Sequence, residues 1–340
     1  MHTKFLQKLT ILVLATSIFS CSSTKQISES SPSIYRTTHS ENSNIENFKL
    51  TDSLEVLEDA LHFLVIGDWG RKGDYYQQDV ADRMEEASKK LDAEFIIALG
   101  DNFYPNGVAS IDDPNWMASF EDIYKGYHLE IPWHVVLGNH DYRGNPQAQI
   151  DYTHKSQRWN MPSRYFDYQF EDEDTGLLVN FLFLDTNPFE KKYYSEKAYT
   201  NVKNQDTIKQ RQWIDSIMKV KPKGDWTIFS GHHPLYSGGK RLTATKDIRE
   251  ALNPILNRHN VDIYFAGHEH DMQYIKPEGK THHFISGAGS EVRKTGMIEG
   301  LSKFAASIQG FMTFSITKEK ILIQVINYKG NRIYTTVIVK

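Results

Sequence analysis

Five short apolar runs in this chain stop at a glycine, and each glycine is followed at once by residues of the types that bind metal ions. The stops read Gly67-Asp68-Trp69-Gly70, Gly100-Asp101-Asn102-Phe103-Tyr104, Gly138-Asn139-His140-Asp141, Gly231-His232-His233-Pro234 and Gly267-His268-Glu269-His270. Carboxylate, amide and imidazole groups are the usual donors to divalent and trivalent cations. Each stop alone has an ordinary explanation: an Asp after a Gly is commonly a turn or a helix cap, a single His-x-His pair is commonly incidental, and a lone Tyr104 is a packing residue. Chance does not readily place Asp, Asp, Asn, His and His-x-His directly after glycines that end apolar runs, so the set reads as a metal site.

The runs before these stops must bring the donors together. They are His62–Ile66, Phe95–Leu99, Trp133–Leu137, Trp226–Ser230 and Val261–Ala266, and each has the length and the β-branched or aromatic content of a buried strand. Tyr76–Lys90, Thr207–Met218 and Lys246–Asn257 are polar with spaced apolar residues, which predicts helices. Strands alternating with helices indicate an α/β core, and ligands gather in the loops over one edge of such a sheet. Glycine at the strand end is expected to let the backbone turn sharply. Phe311–Ile316, Ile321–Tyr328 and Arg332–Val339 instead read as consecutive strands, with a hairpin signal at Lys329-Gly330-Asn331. The expected fold is therefore mixed α/β, with mixed β-sheets stacked in a pair and flanked by helices.

The motif set Gly-Asp-x-Gly, Gly-Asp-x-x-Tyr, Gly-Asn-His-Asp, Gly-His-x-Pro and Gly-His-x-His resembles that of the calcineurin-like metallophosphoesterases. Tyr104, placed after Asp101, points to the purple acid phosphatase branch. Gly144–Ile150, Gln157–Asn160 and Ser286–Gly289 are similar to the small, tartrate-resistant animal type. The resemblance spans Leu61 to Lys340 and implies a two-metal site. By resemblance, Asp68, Tyr104 and His270 hold a first ion together with Asp101, and Asn139, His232 and His268 hold a second, again with Asp101 as the bridge. Ions in such sites lie about 3.5–4 Å apart. The anionic oxygens of the first set suit Fe(III), with phenolate-to-iron charge transfer giving the purple colour. The second set suits a divalent ion, which is Fe, Zn or Mn in the family.

The implied reaction is hydrolysis of phosphate monoesters by a hydroxide held at the metal pair. His140 is the expected general acid for the leaving oxygen, Asn139 and His140 are expected substrate contacts, and Asp141 is expected to orient His140. Where animal-type enzymes carry a second substrate-facing histidine, this chain has Lys240 and Arg241. Arg241 is expected to pair with the substrate phosphate as a cation that does not titrate, giving a less acid pH optimum than in the animal enzymes. His233 is expected to pack beside the ligands, Glu269 to face solvent or support them, and the tryptophans to be core.

The rest of the chain bounds where this chemistry happens. It has 340 residues, 39% of them hydrophobic, and a formal net charge of −4, with no basic run of the kind a nucleic-acid surface requires. Lys4 and Lys8 precede an apolar stretch, Leu9–Phe19, too short to span a membrane and suited to a signal peptide. Ile18-Phe19-Ser20-Cys21 resembles a bacterial lipobox, and Cys21 is the only cysteine, so no intramolecular disulfide forms. The expected organisation is a lipoprotein signal peptide at 1–20 with Cys21 lipidated, a Ser-, Thr- and Asn-rich tether at 21–50, and one catalytic domain at 51–340. The protein is expected to be exported to the cell envelope, periplasmic or on the outer-membrane surface, and monomeric. Small phosphate esters are its expected partners, with no nucleic acid and only a lipid contact to the membrane. Two other readings carry different signatures. A phosphodiesterase or nucleotide pyrophosphatase of the same superfamily would lack purple absorption, and a non-catalytic surface binding protein would release no phosphate.

Overall fold

The computed structural model describes residues 53–242 and 245–340. The expected signal segment, Cys21 and the tether lie outside the described residues. In chain order the strands are β1 (Leu61–Ile66), β2 (Phe95–Ala98), β3 (Trp133–Val135), β4 (Trp159–Asn160), β5 (Phe166–Glu171), β6 (Leu178–Phe183) and β7 (Trp226–Ser230). They continue as β8 (Ile263–Ala266), β9 (Met272–Ile275), β10 (His282–Ser286), β11 (Ser302–Ala306), β12 (Gly310–Ile316), β13 (Lys320–Asn327) and β14 (Arg332–Val339). The α-helices are α1 (Gln77–Leu91), α2 (Pro146–Tyr152), α3 (Thr207–Val220) and α4 (Lys246–Arg258).

The strands form two mixed sheets of seven, ordered β14-β13-β12-β1-β2-β3-β4 and β11-β9-β10-β8-β7-β6-β5. Within the first, β1 to β4 run parallel and β12 joins β1 antiparallel. Within the second, β6, β7, β8 and β10 run parallel, β5 and β9 join them antiparallel, and β11 pairs antiparallel with β9 at the edge. Every metal-type stop follows a parallel strand, so all of them emerge at the same end of their sheet. Register finishes the placement. The pair Ile66↔Ala98 sets Asp68 beside Asp101, and Ser230↔Phe265 sets His232 beside His268.

Phe63 couples the two sheets. Its ring stacks on Phe95 at 4.9 Å and Phe314 at 5.5 Å within the first sheet. It meets Phe181 of the second sheet edge-on at 5.6 Å and Phe265 at 6.2 Å. A further aromatic core lies under the loops after β1 and β2, where the Trp69 ring is 5.6 Å from Phe103, 5.4 Å from Tyr124 and 6.0 Å from Trp133. Trp69 follows Asp68 and Phe103 precedes Tyr104, so burying these rings also fixes the donors beside them. Trp69, Trp116, Trp133, Trp159 and Trp226 are fully buried, which is the core role expected of the tryptophans, while Trp213 is only partly buried against the core of the second sheet.

The helices cover the sheets for ordinary reasons. In α1, Val80, Ala81, Met84, Ala87 and Leu91 are buried at helical spacing, with Asp79 in the first turn and Lys89 and Lys90 in the last. Helix α3 is capped by Asp206, whose side chain accepts from the Ile208 and Lys209 N–H groups. Helices α1, α3 and α4 lie within two residues of the bounds expected from sequence. No helix among the described residues is long and apolar enough to cross a membrane.

Truncating Phe63 to Ala should cost about 3–5 kcal/mol of folding stability, since it empties the space between the sheets. Denaturant unfolding measures this, and a loss under about 1 kcal/mol would show that the sheets are held together elsewhere.

Candidate metal centre

The two sheets bring their strand ends into van der Waals contact at the site, and glycine permits it. A Cβ on Gly267 would lie 2.5 Å from Asp68 Oδ2, and one on Gly100 would lie 2.8 Å from His232 Nδ1. Glycine's expected role as the turning residue is corrected by the backbone. The left-handed conformations fall mostly on the donors themselves, at Asp68 (φ 57°), Asp101 (φ 51°) and His268 (φ 70°). Non-glycine residues held this way cost free energy and cluster at functional sites.

Two donor groups result. Tyr104 Oη lies 3.0 Å from Asp68 Oδ1, 3.0 Å from Asp101 Oδ2 and 3.1 Å from His270 Nε2. One phenol proton cannot satisfy two carboxylate oxygens at once. Four donors converging on a buried point are the arrangement a cation fits. Beside it, His232 Nε2 lies 3.3 Å from Asn139 Oδ1, 3.0 Å from His268 Nδ1 and 3.4 Å from Asp101 Oδ1. Asp101 thus gives one oxygen to each group. The ring orientations are set from behind. His232 Nδ1 is 2.8 Å from the Leu99 carbonyl, which leaves Nε2 facing the group, and Asp68 Oδ2 accepts from the His268 N–H at 2.8 Å, which leaves Oδ1 facing Tyr104 and His270.

The electrostatics favour the same conclusion. Burial pushes the Asp68 carboxyl up to about 8, with the Asp101 charge adding to it and His232 partly offsetting. Burial opposes charge on Asp101 too, yet His232 and His140 outweigh it and hold that carboxyl well below the usual range. Burial also works against His232, and Asp101 overrides it, raising the imidazole to about 9. Burial drives His268 far down and His270 to about 2, so both are neutral imidazoles with a lone pair to give. Burial and the two carboxylates hold the Tyr104 phenol well above 10, so a phenolate forms here only against a strongly charged cation. The residues fit a pair of metal ions.

The remaining expected site residues lie close by, with different partners from those anticipated. His140 donates its backbone N–H to Asp101 Oδ1 at 2.7 Å and places Nδ1 2.6 Å from the Pro105 carbonyl, so that Nε2 is free, 3.9 Å from Asp101 Oδ2. Asp141 does not orient that ring. Its carboxylate accepts from the N–H groups of Gly138 at 2.8 Å, Asn102 at 3.1 Å and Phe103 at 3.3 Å, and from Gln149 Nε2 at 2.9 Å. It is a buried tie between the loops after β2 and β3, because those N–H groups have no strand partner to bond. Arg241 reaches the rim, but its Nη1 donates to the His268 carbonyl at 2.6 Å and lies 3.4 Å from Glu269. Glu269 is fully buried rather than solvent-facing, and its carboxylate receives the Ser237 hydroxyl and the Arg241 N–H. His233 is buried against Thr186 and Tyr193, its ring 4.4 Å from that of His268.

Several neighbours carried no signal in the sequence. The Arg71 guanidinium sits 3.7 Å over the Tyr104 ring and pairs with Glu291 at 2.6 Å. Arg143 Nη1 lies 3.1 Å from His140 Nδ1. Tyr193 and Tyr199 arrive from the segment Asn187–Asn204, which is far from every motif in the chain. Arg71, directly after Gly70, and Arg143, three residues from His140, sat close enough to a motif to be suspected.

The family model for Calcineurin-like phosphoesterase matches residues 61–272. Purple acid phosphatase 7 of Arabidopsis thaliana is 36% identical over 282 residues, which is 80% of this chain and 84% of that protein. Tartrate-resistant acid phosphatase type 5 of Homo sapiens is 30% identical over 297 residues, covering 82% of this chain and 90% of that one. Among solved structures, GAP50, described as the anchor in the inner membrane complex of Plasmodium, superposes with a TM-score of 0.71 at 27% identity, over 83% of this chain and 89% of that one. Since the match runs through every strand end that carries a donor, the chain belongs to the calcineurin-like phosphoesterase family and, within it, to the purple acid phosphatases.

Proposed function

We propose that this acid phosphatase hydrolyses small phosphate monoesters outside the cytoplasm, tethered to the cell envelope through lipidated Cys21. In this reading Asp68, Asp101, Tyr104 and His270 hold Fe(III), and Asp101, Asn139, His232 and His268 hold a divalent ion, Fe, Zn or Mn. The observation that carries it is Asp101, one buried carboxylate with Tyr104 against one oxygen and His232 against the other. The tyrosine argues for a trivalent ion on its side, because only strong positive charge holds a buried phenolate between two carboxylates. The second group has neutral donors apart from the shared carboxylate, which suits a lower charge.

When bound, the two cations neutralise the phosphate charge and supply an activated water for in-line attack. The protein's share is positioning and one proton. His140 is only partly buried, and its Nε2 is the ring nitrogen not committed to the Pro105 carbonyl. A proton on that nitrogen can pass to the departing ester oxygen. Asp141 supports this indirectly by pinning the Gly138 turn that carries Asn139 and His140. Arg241 holds the His268 carbonyl from the rim, and its remaining donors can meet a substrate oxygen.

A second reading, an anchoring protein without catalysis, is favoured by the likeness to GAP50. The complete donor set argues against it. Phosphate release from p-nitrophenyl phosphate decides: the parent should turn over, and Asp101→Ala should lose several kcal/mol of transition-state stabilisation, about a thousandfold or more in rate. A parent without turnover would favour the anchor, and an active Asp101→Ala would remove the bridge from the account. His140→Ala should lose about a hundredfold or more on alkyl phosphates and much less on p-nitrophenyl phosphate, whose leaving group needs no proton. Equal losses on both would deny His140 the acid role.

A further inference from the structure

The segment Asn187–Asn204 supplies no metal donor, yet two of its tyrosines reach the centre. Tyr193 and Tyr199 are buried with their rings 4.1 Å apart. The Tyr193 hydroxyl lies 2.9 Å from His233 Nε2. Three N–H donors converge on the Tyr199 oxygen: Arg143 Nη2 at 2.8 Å, Arg143 Nε at 3.2 Å and Asn139 Nδ2 at 3.3 Å.

The contact with Asn139 has a consequence because an amide has two unlike ends. Oδ1 lies on the second donor group, 3.3 Å from His232 Nε2. Nδ2 carries hydrogens and repels a cation. The terminal torsion of asparagine is broad and roughly two-fold, so hydrogen bonds alone decide which end points inward. Among the described residues, the Tyr199 hydroxyl is the acceptor that Nδ2 has, and Arg143 donates to the same oxygen from Nη2 and Nε. Packing of Tyr199 on Tyr193, and of Tyr193 against His233, keeps the oxygen where it is.

We propose that Tyr199 is a positioning residue for the second metal: by accepting from Asn139 Nδ2 it turns the amide oxygen toward the cation and so sets that ion's affinity without touching it. The inference rests on the two-metal reading, in which Asn139 is a donor to the divalent ion. It assigns the segment Asn187–Asn204 a role in metal loading that its own sequence does not announce.

The test measures Zn(II) affinity of the iron-loaded protein by competition with a chelator, together with retained iron. Four proteins are compared: the parent, Tyr199→Phe, Asn139→Asp and the double variant. Tyr199→Phe should weaken Zn(II) binding by about 10- to 100-fold with iron content unchanged, the scale of losing a partner behind a metal ligand. In the Asn139→Asp background both side-chain oxygens are equivalent and there is no amide to orient, so adding Tyr199→Phe should change Zn(II) affinity by less than about twofold. Unchanged affinity in Tyr199→Phe overturns the proposal. So does an equal loss in both backgrounds, or a joint loss of iron and zinc, since each would mean general disruption in place of amide orientation. A parent that takes up one ion instead of two would sink the two-metal reading itself, and that result is distinct from any of these.

Discussion

Asp101 presents Oδ2 to Tyr104 and Oδ1 to His232 from a position almost without solvent contact. A carboxylate buried this way must be compensated, and His232 and His140 alone already hold it ionised. Every other feature of the centre follows from keeping that group between its two sets of neighbours. The parallel strands β1 and β2 place Asp68 beside it, β3 places Asn139 and the His140 N–H beside it, and β7 and β8 of the facing sheet deliver the histidines. A slip of one residue in either sheet would turn a donor out of the cavity.

This arrangement is strained, and the strain is distributed. Asp68, Asp101 and His268 each sit in the left-handed region, where a side chain costs about 1–3 kcal/mol. The opposing interactions are local. Asp141 gathers the free N–H groups of Gly138, Asn102 and Phe103, and the rings of Trp69 and Phe103 are packed into the aromatic core beneath. Glu269 and Arg241 tie the His268 turn in the same manner on the second sheet. The charged residues around the donors are therefore largely fastenings for backbone that could not otherwise hold its shape.

The sequence announced the donors because their chemistry is concentrated: an apolar run, a glycine and a ligand type in consecutive positions. It also announced β1, β2, β3, β7, β8, β12, β13 and β14, and three of the helices, through length and periodicity. It did not announce β4, β5, β6, β9, β10 or β11. His282-His283-Phe284-Ile285-Ser286 and Ser302–Ala306 are half polar because they lie toward the edge of the second sheet, where one face is partly open, and so lack a continuous apolar run. The partners of Asp141 were not legible, and for Glu269 two roles stayed open, for a related reason. Both stand beside donors in sequence, but what a buried carboxylate bonds depends on which backbone groups the fold leaves unpaired, and that is set by the whole sheet. Tyr199 was beyond reach altogether, since nothing in Tyr-Thr-Asn-Val distinguishes it from any surface turn.

The central claim is that two cations share Asp101, and anomalous X-ray diffraction from crystals of the metal-loaded protein tests it most directly. The account predicts two peaks about 3.5–4 Å apart, one bounded by Asp68, Tyr104 and His270, the other by Asn139, His232 and His268, with Asp101 between them. A single peak, or two that do not both lie against the Asp101 carboxylate, would contradict it.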